Sequence, residues 1–200
     1  MESLEGPRFA RFIDALVRPE ELGLLELDSF DVVIVPCRTP AHRIGPCAAQ
    51  LKDYLDSGGT VFASGESNSE LWLPGIVFAP QPTNWWWWLD PKADLGVRIV
   101  AKSHPLLRRL RQEDVTWHLH GAFAVPPGAE VLIVEGEGRP ILYVDEVTTR
   151  GRMIVTSLDP FYHHGSHFMP ATTRFLDGFL PSLSIIRRGD TLARGGLTRR

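Results

Sequence analysis

Two apolar runs, "FDVVIVPC" at residues 30–37 and "TVFAS" at residues 60–64, constrain this chain more than any other feature. Each is short, continuous in hydrophobicity and bounded by turn residues, the pattern of a strand buried on both faces of a sheet. The stretch between them reads as a helix. Pro46 suits its first turn, Cys47, Leu51, Tyr54 and Leu55 line one face, and Gly58-Gly59 supplies a left-handed C-terminal cap. Strand, helix and strand at this spacing pair in parallel through a right-handed crossover, with cover needed on both faces of the sheet. An α/β protein is therefore expected.

Phe9, Phe12, Ile13 and Leu16 recur at helical spacing, which predicts an amphipathic helix ending before Pro19. No strand precedes it, which is unusual for a βαβ protein and reads as a sheet lacking its first strand, with an edge left for a partner to cover. From Leu71 onward the text becomes short strands and turns: "GIVFAP", "LGVRIV", "VTWHLHG", "EVLIVE", "PILYVDE" and "RMIVTS", with a short helix at "HPLLRRL". A last helix starts near Pro170, buries Phe168, Thr172, Phe175, Leu176 and Phe179, and stops at Pro181. The organisation expected is one domain over residues 1–184. A basic tail over residues 185–200, "IIRRGDTLARGGLTRR", follows it, with five arginines against one aspartate.

A content of 44% apolar and 22% charged residues fits a single globular core. The net charge of -3 gives no general attraction for phosphate backbones, so nucleic acid is not an expected partner. Only Cys37 and Cys47 are present, without CxxC spacing, and neither a leader-like run nor a span of about 20 apolar residues is seen. The reading is a cytoplasmic protein without membrane contact, its thiols buried rather than paired.

The order of "DVVIVP", "LKDYLDSGGTVFASGES", "HPLLRRL" and "GAEVLIVEGEGRPILYVDEVTTRGRMIVTSLDP", over most of residues 30–160, resembles the class I glutamine amidotransferase-like superfamily. The resemblance is strongest to its ThuA-like (trehalose-utilisation) and beta-galactosidase-trimerisation-like branches. It implies a flavodoxin-like three-layer sandwich with a mainly parallel central sheet. Active members of the superfamily carry a nucleophilic Cys on the turn after the strand matching "TVFAS", and His-Pro-Glu after the strand matching "RMIVTS". Here those turns read Ser64-Gly65-Glu66-Ser67 and Leu158-Asp159-Pro160, so the resemblance implies no glutaminase activity. Cys37 ends the first strand at the edge where open α/β sheets bind ligands. Nothing near it in sequence would lower its pKa, so it is not read as a substitute nucleophile.

Five of the seven histidines fall in two segments, "WHLHG" and "FYHHGSHF". His118 and His120, two apart on an expected strand, project to one side; His163, His164 and His167 fall in the expected loop before the last helix. If the segments meet, His118, His120, His163 and His167, with Asp159 as an oxygen donor, can present three or four ligands to zinc or another divalent transition metal. The competing readings are an organic-ligand pocket without metal, and a loop in which His and Ser166 cap helix amides while Tyr162 anchors the segment. Glu66 and Asp159, with His120, are the candidate catalytic groups, since paired carboxylates and an imidazole can act as general acid and base.

"TNWWWWLDP" places four indoles in a row, each able to bury on the order of 200 Å². In extended backbone, alternate rings face opposite ways, so one pair wants a partner beyond the core. A homodimer seam through Trp85–Trp88 is expected, with a sugar-stacking platform as the alternative. The candidate ligand-binding set is Glu66, Ser67, His118, His120, Tyr162, His163, His164, Trp85 and Trp87. The functional expectation is a binding or accessory protein for a small, sugar-like molecule. A hydrolase or isomerase on a carbohydrate-related substrate, with or without a metal, is the alternative, and a docking domain is the third.

Overall fold

The computed structural model describes residues 6–83, 85, 89, 92, 94–166 and 169–190, the side chains of residues 165 and 166 excepted. Eight strands are formed: β1 (Val32–Val35), β2 (Thr60–Ser64), β3 (Val77–Pro80), β4 (Arg98–Ile99), β5 (Gly121–Ala124), β6 (Glu130–Val134), β7 (Pro140–Asp145) and β8 (Arg152–Thr156). The α-helices are α1 (Ala41–Ile44), α2 (Ala48–Asp56), α3 (Pro160–Ser166) and α4 (Pro170–Leu183). A six-stranded sheet runs in the order β1-β2-β8-β7-β6-β4, and β3 and β5 form a separate antiparallel pair.

The protein is an α/β fold, and the first crossover is as expected: β1 pairs β2 in parallel across α1 and α2, with Ile34 opposite Phe62. β2 then pairs β8 in parallel. Beyond β8 the sheet turns antiparallel at β7, β6 and β4. Strands β1, β2, β8 and β6 thus share one direction, while three of the five neighbouring pairs are antiparallel. The sheet is mixed, because β6, β7 and β8 follow one another through short turns, and only antiparallel strands can be joined that way.

β2 and β8 are buried throughout and their side chains alternate between two cores. Phe62 and Ile154 join Phe175 and Phe179 of α4 on one face; Val61, Ala63, Met153 and Val155 join Leu51, Tyr54 and Leu55 of α2 on the other. The small β3–β5 sheet closes the α2 side, where Phe123 meets Tyr143 of β7 with ring centres 5.4 Å apart.

Several sequence expectations are corrected. Residues 9–16 form only a 3-10 turn at Ala10–Phe12: Phe9 is fully buried and Phe12 and Ile13 pack partly against the core, but Leu16 is exposed, so the apolar contact ends within a turn and a helix this short does not form alone. The segment 115–120 is loop and not strand; pairing begins at Gly121. The expected loop carrying His163 and His164 is helix α3. α4 continues two residues beyond Pro181, since a proline in the last turn forfeits one amide donor while Leu183 still buries. The basic stretch packs as far as Asp190: Ile186 is buried and Arg188 donates to the carbonyls of Asp28 and Ser57. β1 has one ladder partner, β2, among the described strands. Among the described residues, no helix is long and apolar enough to cross a membrane.

Candidate functional site

Because β1, β2 and β8 are parallel, their carboxyl ends open on one edge of the sheet, the position at which open α/β sheets bind ligands. Three turns meet there. Cys37 and Arg38 follow β1, Gly65 and Glu66 follow β2, and Asp159 follows β8. The contacts are close: the Glu66 amide donates to Cys37 Sγ at 3.3 Å, the Arg38 amide to the Glu66 carbonyl at 3.3 Å, and Cys37 Sγ lies 4.0 Å from Asp159 Oδ2. Gly65 has φ +58, and a Cβ there would stand 2.6 Å from Cys37 Sγ and 2.8 Å from Asp159 Cβ, so only glycine lets the turns approach this far. Arg38 also adopts positive φ, at 62°, which for a long side chain is a strained conformation of the kind that collects at functional sites.

Asp159 is the centre of the site and is 1% exposed. His120 Nε2 lies 3.1 Å and His163 Nε2 3.0 Å from Asp159 Oδ2, and His118 Nε2 lies 3.9 Å from Oδ1. His163 Nε2 and His118 Nε2 are themselves 2.8 Å apart. Asp159 and His163 meet because they are four residues apart at the start of α3, one turn along the same helical face. His118 and His120 arrive from the loop ahead of β5, their ring centres 5.5 Å apart, while Leu119 between them joins the core.

Burial works against the charge of Asp159, but hydrogen bonds from His120 and His163, and the imidazoles' proximity, outweigh it and hold the carboxyl below its usual range. Burial lowers the His118 imidazole to about 4, so it is neutral near pH 7. Burial, with the Asp159 charge, pushes the Cys37 thiol up to about 12, which favours the protonated thiol near pH 7 and argues against a nucleophilic role.

His120 separates this buried cluster from an open cleft of about 490 Å³ whose walls include Arg38, Glu66, Phe78 and Phe123. On the cleft side, His120 Nδ1 is 3.4 Å from the half-exposed Glu66 carboxylate and 3.3 Å from Thr83 Oγ1. Trp85, 43% exposed, stands edge-on to His118 with ring centres 4.6 Å apart and 5.6 Å from His120. Arg38 lies over the Tyr162 ring, 3.8 Å from its centre, and Tyr162 in turn touches His163.

The structure therefore brings together Glu66, His118, His120, Asp159, His163, Trp85 and Tyr162 of the expected set. It excludes two. His164 turns away, its Nδ1 2.7 Å from Thr173 Oγ1 and its ring against Phe9. Ser67 is buried off the cleft, its carbonyl taking the Trp72 indole N–H at 2.8 Å. Trp87 and His167 lie outside the described residues. Arg38 and Thr83 were missed; the only sequence signal for Arg38 is its place immediately after the first buried strand. Among the described residues, two groups of donors lie close enough to hold a metal ion: His118, Asp159 and His163, and Cys37, His120 and Asp159.

No protein-family model matches this chain, and no curated protein matches it. Among solved structures, the exo-beta-1,4-mannosidase Op5Man5 from Opitutaceae bacterium strain TAV5 is similar, with a TM-score of 0.46 and 13% identity over 88% of this chain. The chain spans 27% of that enzyme's length.

Proposed function

We propose that this protein is an acid–base catalyst acting on a small, hydroxyl-rich, sugar-like molecule bound in the cleft beside His120. The observation that carries the reading is the Asp159–His120–Glu66 line, running from a fully buried carboxylate through an imidazole to the cleft wall. With its Nε2–H donated to Asp159 Oδ2, His120 keeps the lone pair of Nδ1 for the cleft. That nitrogen can take a proton from a ligand hydroxyl or a water, and Asp159 stabilises the imidazolium that forms. Glu66, on the solvent side, is the second proton-transfer group. Trp85 and Phe78 offer aromatic surface for the C–H face of a sugar ring, and Arg38 and Glu66 offer hydrogen bonds to its hydroxyls.

In the same reading, the chain is an amidotransferase-like domain of flavodoxin-like architecture that has lost the Cys-His-Glu triad. The parallel β1–β2–β8 core supports this, with Glu66 and Asp159 standing at the two turns where the superfamily carries its nucleophile and base.

The test is a thermal-shift screen of neutral monosaccharides and sugar acids, followed by turnover assays on every compound that raises the melting temperature. His120→Ala and Glu66→Gln are expected to reduce turnover by about 10²-fold or more while keeping most of the thermal shift. Ligands that bind tightly, with no product formed by the unaltered protein, would sink the catalytic reading in favour of a binding module.

A further inference from the structure

We propose that His118, His163 and Asp159 form the binding site of a single divalent transition-metal ion of the zinc type. The inference deepens the reading of the rim as a catalytic site and rests on it only for what the ion would do there.

The first argument is geometric. A tetrahedral ion bonded to nitrogen and oxygen at about 2.0–2.2 Å sets its donors about 3.3–3.5 Å apart. The separations here, 2.8 Å between the two imidazole nitrogens, 3.0 Å from His163 to Asp159 Oδ2 and 3.9 Å from His118 to Oδ1, lie on either side of that value, so shifts of about half an ångström would seat an ion between the rings and the carboxylate edge. The second argument is proton accounting. Two imidazole Nε2 atoms face each other at 2.8 Å, and one of them also faces a carboxylate oxygen at 3.0 Å. If His163 donates to Asp159 it has no second Nε2 proton for His118; if His118 donates to His163, the His163 lone pair faces the carboxylate. A cation accepts all three lone pairs at once.

The third argument is an orphaned atom. Asp159 Oδ1 is buried and has no hydrogen-bond partner among the described residues, although Oδ2 of the same group is served by two histidines. A buried carboxylate oxygen left bare is costly, and a metal is the partner its position next to His118 fits. His120 then acts as the positioning residue: its Nε2–H on Oδ2 fixes the carboxylate with Oδ1 towards His118, while His163 approaches Oδ2. The Cys37, His120 and Asp159 group is the less suitable of the two, since using His120 as a ligand would take away that support. When bound, such an ion would supply Lewis acidity and a water of lowered pKa beside the cleft.

Chelator-treated protein titrated calorimetrically with zinc, cobalt(II) and manganese(II), each alone, is expected to bind one ion per chain. His118→Gln and His163→Gln should abolish that binding with unchanged far-ultraviolet circular dichroism, Cys37→Ser should retain it, and His120→Ala should weaken it by about 10–100-fold. Since buried variants can misfold, the unaltered protein gives a second reading: zinc should shift the ring-nitrogen NMR signals of His118 and His163 and leave those of His164 in place. Absence of binding by the unaltered protein, or loss in Cys37→Ser with retention in His163→Gln, overturns the proposal. Turnover of a sugar by metal-free protein that binds no ion overturns it and leaves the acid–base reading intact. A bound ion without turnover of any ligand supports the metal site and overturns the catalytic reading instead.

Discussion

Replacing Gly65 by alanine tests whether the three rim turns are packed as tightly as described. Two costs add. The backbone at φ +58 disfavours any Cβ by about 1–2 kcal/mol. The new methyl would also sit 2.6 Å from Cys37 Sγ and 2.8 Å from Asp159 Cβ, and relieving such overpacking typically costs about 1–3 kcal/mol. The expected loss is therefore about 2–5 kcal/mol, read as a drop in the urea midpoint of about 1–2 M for a domain of this size. Gly138→Ala separates the two terms, because Gly138 also has positive φ, at 81°, but no atom lies within 4 Å of the new Cβ. That variant should lose only the backbone cost, about 1–2 kcal/mol. If the two variants lose the same stability, the turns are not in contact. The packing that places Asp159 against Cys37 is then refuted, and with it the basis of the site. If Gly65→Ala alone is severely affected, it should also weaken zinc binding, since Asp159 is one of the two side chains that must yield.

Three further outcomes can be measured, two on buried charged groups and one on the exposed Trp85. Asp114 is 4% exposed and accepts from Arg174 at 2.7 Å and from the Arg111 amide at 3.0 Å; burial raises its pKa, but these bonds win and lower it. A lowered folded pKa means stability that is present above the unfolded pKa of about 3.9 and lost as pH falls through the folded value. Asp114→Asn should thus cost about 1.5–3 kcal/mol at pH 7, and urea unfolding should show that this deficit narrows towards pH 2. Arg152, 3% exposed, holds Glu146 at 2.7 Å, Thr60 at 3.1 Å and the Asp190 carbonyl. Arg152→Met should cost about 3 kcal/mol or more by chemical denaturation; a loss under about 1 kcal/mol would show that the guanidinium is not the clamp between β8 and residue 190. Trp85→Ala should weaken the binding of any sugar found in the thermal-shift screen while leaving zinc stoichiometry unchanged, because its indole touches the histidine rings and offers no donor to the ion.

How far the site was legible beforehand follows from the range of the interactions that build it. Phe30–Ser64 could be read almost completely, since continuous apolar runs and a capped helix are local signals, and Glu66 and Asp159 were placed at the rim by the strand ends alone. The meeting of His163 with Asp159 is also local, a spacing of four residues, although it works through a helix that was taken for a loop. The glycine at 165 and the histidines obscured α3, whose helical state depends on Phe161 burying into the main core. The pair His118 and His120 shows the opposite case. Alternation predicts that the two rings meet on one side, and they do, with Leu119 in the core between them, although the segment is a loop and not the expected strand. What no local pattern could supply is which face of the domain those rings meet. That is decided by β5 leaving the main sheet to pair with β3, which carries the preceding loop over the carboxyl end of β8. The same long-range step explains why His164 falls away from the site. Adjacent residues on a helix point about 100° apart, so once α3 turns His163 towards Asp159, His164 must face Phe9 and Thr173.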